Sequence, residues 1–117
     1  MSRSVNKVIL VGSVGSDPEV RITSAGVKVA RISLATKGRV PDPEMPEDGA
    51  SEERTDWHRV VLWDRLAQVA EDYVSKGDKL FVEGSIQYDT YERDGVTIPT
   101  MEVRAREMVM LTPMYTN

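Results

Sequence analysis

The segment Asp56–Lys76, DWHRVVLWDRLAQVAEDYVSK, changes its periodicity in the middle, and that change decides the fold. Over Asp56–Trp63 the pattern is that of a β-strand, whose side chains alternate between two faces. His58, Val60 and Leu62 share a face fit for a core. Trp57, Arg59, Val61 and Trp63 share the other, which places both tryptophans of the chain on one side, roughly 20 Å apart at about 3.3 Å per residue. From Asp64 to Lys76 the apolar residues Leu66, Val69, Ala70, Tyr73 and Val74 recur at the i, i+3, i+4, i+7 spacing of an amphipathic helix. Asp64 stands at its N-cap and Gly77 as its stop. That apolar stripe is read as core packing, not as a cofactor face.

Toward the N-terminus, Val5–Val14 (VNKVILVGSV) is β-branched and apolar, then punctuated by Gly12, Gly15 and Asp17-Pro18. It reads as a strand running into a bend, with Glu19–Thr23 as a short continuation. Ser24-Ala25-Gly26 is a turn, and Val27–Thr36 alternates, Ala30, Ile32 and Leu34 on one side against Arg31 and Ser33 on the other. Lys37–Arg54 holds three of the six prolines and no apolar periodicity, so it is expected to be a long, mobile, acidic loop. Beyond the helix, Leu80–Tyr91 is a strand interrupted at Gly84, where a barrel strand can bend. Glu92-Arg93-Asp94-Gly95 is a hairpin signal. Val96–Arg106 alternates again, Met101, Val103 and Ala105 against Glu102, Arg104 and Arg106, and Met108–Leu111 closes the domain.

The order is therefore β-β-β-α-β-β. A single helix cannot supply the crossovers of a parallel doubly wound sheet. The order matches an all-β fold with one helix, the five-stranded Greek-key barrel of the oligonucleotide/oligosaccharide-binding (OB) type, with its helix between the third and fourth strands.

Composition sets the outer limits. With 117 residues, 40% hydrophobic and 29% charged, the chain is one soluble domain with one core. It has no cysteine and one histidine, which removes disulfides, thiol nucleophiles and zinc ribbons, and leaves any metal site to carboxylates. The apolar run Val8–Val11 is too short for a signal peptide or a membrane span, so no membrane partner is expected. The expected location is the cytoplasm, or an organelle reached without a recognisable leader. Net charge is −4, but seven acids and one base lie between Asp42 and Asp56, and the remainder holds 14 basic and 12 acidic residues. Charge alone neither excludes a nucleic-acid partner nor suggests one.

VNKVILVGSVGSDPEVR, the LAT of residues 34–36, WHRVVLWDRLAQVAEDYVSKGDKLFVEG, and the DG hairpin followed by MEVRA together resemble the bacterial-type single-stranded DNA-binding protein family, from about Val5 to Leu111. Gly12-x-x-Gly15 lacks the Lys-Ser/Thr of a phosphate-cradling loop and is only a bend. The resemblance implies one OB domain over residues 1–111, with 37–54 its acidic loop and 112–117 a short tail. It also implies a homotetramer that binds single-stranded DNA by stacking and basic contacts, protecting it in replication, recombination and repair. No cofactor, metal or catalytic residue is implied, and the location becomes cytoplasmic and nucleoid-associated.

Trp57 matches a stacking tryptophan of the family, Trp63 a second aromatic position and Tyr91 a third; Tyr88, on the opposite face from Tyr91, is the competing ring. Arg59 shares the tryptophan face and is the first choice for phosphate contact or base stacking. Arg3, Lys7, Lys37, Arg39, Arg65, Lys76 and Arg93 are further phosphate candidates by position. His58 and Asn6 are expected at a subunit contact; no serine, cysteine or metal cluster joins His58 and Asp56 into a catalytic arrangement.

Three departures stand out. Val40 replaces a further tryptophan common in the family. Gln87, Asp89 and Thr90 replace basic residues. The given residues end at Thr112–Asn117 without the acidic tip through which family members recruit replication and repair proteins. These departures leave open a second reading, an OB-fold accessory subunit of a replication or primosome complex that binds DNA weakly.

Overall fold

The computed structural model describes residues 3–41, 44 and 51–112. Strands β1 (Val8–Val14), β2 (Glu19–Ile22), β3 (Lys28–Pro41) and β4 (Ser51–Trp63) precede the helix α1 (Arg65–Tyr73), and β5 (Lys79–Arg93) and β6 (Val96–Met110) follow it. The sheet runs β1-β5-β6-β4-β3-β2, and β1 also pairs with β3, through Ser13↔Ala35 and Val14↔Leu34, which closes a barrel. β1 and β2 are two halves of one strand bent at Gly15–Pro18, so the barrel is five-stranded, as the sequence order implies. All pairings are antiparallel except β4 with β6.

The alternations read from sequence become the core. Ala30, Ile32 and Leu34 of β3, Val60 and Leu62 of β4, and Val103 and Ala105 of β6 are buried together with Leu80 and Val82 of β5. At about 25 cal/mol per Å2 of apolar surface removed from water, such residues supply most of the folding drive. Met101, two residues before Val103 on the same face, is exposed like its partner Tyr88, because there the β5–β6 hairpin still extends beyond the barrel.

Gly84 stands at a register shift, between Glu83↔Glu107 and Gly84↔Ala105, and a Cβ there would lie 2.8 Å from the carbonyl carbon of Arg104. The strand bends where backbone meets backbone, which only glycine allows. At the far end of β5, Arg93 pairs with Val96, leaving Asp94 (φ 51°) and Gly95 (φ 78°) as a two-residue turn. Positive φ at both central positions is the type I′ geometry whose twist suits a hairpin.

Three expectations need correction. Residues 37–54 are not all loop: β3 continues to Pro41 and β4 begins at Ser51, paired as Lys37↔Thr55, Gly38↔Arg54, Arg39↔Glu53, Val40↔Glu52 and Pro41↔Ser51. This ribbon projects with solvent on both faces, so it needs no apolar alternation, and a search for periodicity passes over it. The remainder of the expected acidic loop, apart from exposed Glu44, lies outside the described residues.

The helix is also shorter than expected. Val74 is already extended (φ −92°, ψ 133°), and Gly77 belongs to the following turn, where its N–H donates to the Val14 carbonyl at 2.8 Å. Ala67 and Ala70 are its buried residues, whereas Tyr73 is exposed. Finally, Asp64 does not cap through its side chain. It has φ 56°, and its backbone serves both neighbours: its N–H donates to Lys28 at 2.7 Å and its carbonyl accepts from Gln68 at 3.0 Å.

Candidate nucleic-acid interface

Register decides which side chains meet on the outer face. Across β3–β4 the pairs are Ala35↔Trp57, Ser33↔Arg59, Arg31↔Val61 and Val29↔Trp63. The parallel step from β4 to β6 sets Val61 beside Arg104, and β6 to β5 continues with Glu102↔Gln87 and Ile98↔Tyr91. Directly paired residues lie on the same side of a sheet, so Trp57, Arg59, Trp63, Arg31, Arg104 and Tyr91 belong to one face.

Three grooves run across that face. One of about 340 Å3 lies in the gap where β4 and β6 part, lined by Trp57, Arg59, Tyr91, Ile98 and Thr100 from that face and by His58, Pro99, Met101 and Val103 from the other. A second, of about 380 Å3, holds Trp63 with Arg21, Arg31, Arg104 and Glu102. Between them a third, of about 370 Å3, is lined by Ser16, Asp17, Ser33, Arg31 and Arg59. Arg59 belongs to the first and third, and Arg31 to the second and third. The three therefore form one track carrying a tryptophan near each end and arginines between.

The two tryptophans are held differently. Trp57 is 62% exposed. The far edge of its ring lies on Gly15, where a Cβ would come within 2.8 Å of its Cη2. Trp63 is 37% exposed, and the Arg104 guanidinium carbon lies 5.2 Å from its ring centroid, a cation–π contact. Tyr91 joins Trp57 in its groove, whereas Tyr88 pairs with Met101 on the opposite side of the β5–β6 ribbon.

The expected phosphate contacts scatter. Arg59 lies at the centre of the track. Lys7 pairs with Glu83 at 3.2 Å and Lys37 with Glu53 at 3.5 Å. Arg39 extends along the β3 ribbon opposite Glu53, and Arg93 ends β5 at the hairpin tip. Arg3 is exposed ahead of β1. Arg65 opens α1, and Lys76 sits in the turn after it, its backbone N–H donating to Asp17 Oδ1 at 2.9 Å; neither lines any of the three grooves.

Sequence reasoning missed Arg21, Arg31 and Arg104 as site residues. Alternation had put Arg31 and Arg104 on the outward sides of their strands, but which strands stand next to β4 depends on pairing across the barrel. The sequence around Gly15 signals only a bend, and its second role, giving room to the Trp57 ring, has no local signal.

His58 turns toward the barrel rim, half-buried, with Nε2 2.8 Å from Thr36 Oγ1. Asn6 extends the β1–β5 ladder with its side chain, donating to the Ile86 carbonyl and accepting from the Ile86 N–H, both at 2.8 Å. Asp56 accepts from Arg54 Nε at 2.9 Å and makes no bond to His58. Among the described residues no group of three or more His, Asp or Glu side chains is placed to hold a metal ion, and no helix is long and apolar enough to cross a membrane.

The single-strand binding protein family model matches residues 5–111. Single-stranded DNA-binding proteins of Xanthomonas axonopodis pv. citri and Xylella fastidiosa are 45% and 43% identical to the chain over 112 residues, 95% of its length. That match covers 60% and 66% of those relatives, so the chain spans under two thirds of their length. Among solved structures, a Plasmodium falciparum SSB complex with ssDNA superposes with a TM-score of 0.84 at 29% identity, covering 96% of this chain and 99% of the other. A deletion mutant of the single-stranded DNA binding protein from Thermus aquaticus superposes with a TM-score of 0.80 at 33% identity, covering 96% and 53%. With a barrel of the same order and a family match over nearly all its residues, the chain belongs to the single-strand binding protein family.

Proposed function

We propose that this chain binds single-stranded DNA without strong sequence preference and, as a homotetramer, coats unwound strands in replication, recombination and repair. The observation that carries this reading is the continuous outer track from Trp57, Arg59 and Tyr91 through Arg31 to Trp63 and Arg104. Every base has a π-face, so aromatic platforms accept any sequence, at about 1–3 kcal/mol per base. Phosphates between the bases meet arginines, and displaced counterions add a salt-dependent term. The work is binding alone, without a cofactor, and the domain of residues 1–111 performs it in the cytoplasm at the nucleoid.

Assembly is supported by apolar surface that no barrel residue covers. Ile9, Val11 and Val109 are exposed on the outer side of β1 and β6, away from the tryptophans. His58 and Asn6 are the polar residues proposed to meet a neighbouring subunit. Four linked domains raise the effective concentration of each next site on a strand, so assembly contributes affinity without new contacts.

Titration with oligo-dT at micromolar protein and low salt tests the binding. Strong quenching of tryptophan fluorescence, reversed by added salt, is expected. Absence of quenching would sink the proposal. Light scattering on the same sample reads the tetramer, and a monomer at that concentration refutes the assembly part.

A further inference from the structure

The groove around Trp63 is more strongly built than an open platform needs to be. Val61 points outward but is only 5% exposed, flanked across the sheet by Arg31 on β3 and Arg104 on β6. Beside this row, Trp63 carries Arg104 against its ring. Arg21 lines the same groove, so three guanidiniums converge on it with two carboxylates, Glu19 and Glu102. Each acid is engaged: Glu19 holds Arg21 at 2.8 Å, and Glu102, the less exposed of its pair, lies 3.8 Å from Arg31. At about 380 Å3 the space is at the small end of the roughly 300–1,000 Å3 typical of small-ligand sites. It suits one nucleotide.

Resting on the proposed DNA binding, we propose that this groove is a one-nucleotide subsite gated by Glu102. The base stacks on the indole of Trp63, which Arg104 backs. The phosphate is taken by Arg31, which exchanges Glu102 for it. The geometry favours exchange because the Arg31–Glu102 contact is long, at 3.8 Å, and the Arg31 side chain is about half in solvent, so it can reach another anion without leaving its place on the sheet. A phosphate oxygen offers the guanidinium a shorter, charge-assisted bond. Arg104 then acts as a positioning residue: its charge over the ring holds the platform in place and adds to the attraction for the phosphate.

The test compares Arg31→Met, Arg104→Met and Glu102→Gln with the unaltered protein, titrated with oligo-dT over a series of salt concentrations. Lys28→Met, which removes a cation paired with Glu71 beside the helix, is the control. Arg31→Met and Arg104→Met should bind several-fold more weakly, and Arg31→Met should flatten the dependence of log K on log salt by ~0.7, the loss of one phosphate on a single strand. Glu102→Gln should bind several-fold more tightly. In Trp57→Phe, Trp63 is the remaining tryptophan, and oligo-dT should still quench it. If the unaltered protein binds while both methionine variants match the control, Glu102→Gln gains nothing or Trp63 stays unquenched, the subsite is refuted and DNA binding stands. If the unaltered protein does not bind, the proposed function itself fails.

Discussion

The two faces of β4 are made from adjacent residues of one strand and have opposite physical tasks. Val60 and Leu62 are fully buried in the barrel, while Trp57 and Trp63, on the other side, keep 62% and 37% of their surface in solvent. A core gains nothing from large exposed rings, so the outer face has to be explained by what it meets. The contrast teaches that the inner face sets whether the chain folds and the outer face sets what it holds. Substitutions on the two faces should therefore separate stability from binding.

The largest expected effect is on the inner face. Leu62→Ala removes a fully buried side chain paired with Ala30 in the core cluster and should cost about 2–5 kcal/mol of unfolding free energy. Urea denaturation measures it. Residual folded protein should still be quenched by oligo-dT, and selective loss of binding without loss of stability would break the division. Trp57→Ala comes next, with the opposite signature. It should weaken oligo-dT binding by about 1–3 kcal/mol, the worth of one stacked base, and leave the urea midpoint nearly unchanged. A large fall in stability would mean that Trp57 is structural.

Gly15→Ala sharpens the comparison, because it disturbs the outer face while leaving both tryptophan side chains in the sequence. Gly15 is not in the left-handed region, so the added methyl carries no backbone penalty and acts through its overlap with the edge of Trp57. The ring is mostly in solvent and can swing away. Stability should change little, while binding should fall by less than the ~1–3 kcal/mol of removing the ring. Equal binding by Gly15→Ala and the unaltered protein would show that the position of the ring is not set by this contact.

How much of this was legible in the sequence follows the same division. The inner face was readable because burial imposes period two: Ala30, Ile32, Leu34, Val60, Leu62 and Val103 all lie where alternation put them. The two tryptophans were readable for the complementary reason, since their parity excludes them from that core. Illegible were features set by long-range pairing or by solvent. Arg104 meets Trp63 only because β6 runs parallel to β4, and no local pattern encodes that neighbour. The β3–β4 ribbon beyond Thr36 has the sequence of a loop, since a strand exposed on both faces has no side that must be apolar. Asp64 has the residue type of a cap, but its φ of 56° is imposed by joining a strand to a helix.

That ribbon is where the contrast between faces ends, and it gives the smallest expected effect. Lys37 and Glu53 approach to 3.5 Å with most of both side chains in solvent. Such pairs contribute about 0.2–1 kcal/mol, so Glu53→Gln should leave the urea midpoint within error. The charge change should be visible elsewhere. Lys37 is a proposed phosphate contact, and its acidic partner competes for it. Glu53→Gln should therefore tighten oligo-dT binding slightly at low salt, with the gain shrinking as added salt screens these exposed charges. Weaker binding by this variant would instead mean that Glu53 holds Lys37 in its productive position. No change at any salt concentration would place the ribbon, unlike the barrel face, outside the DNA path.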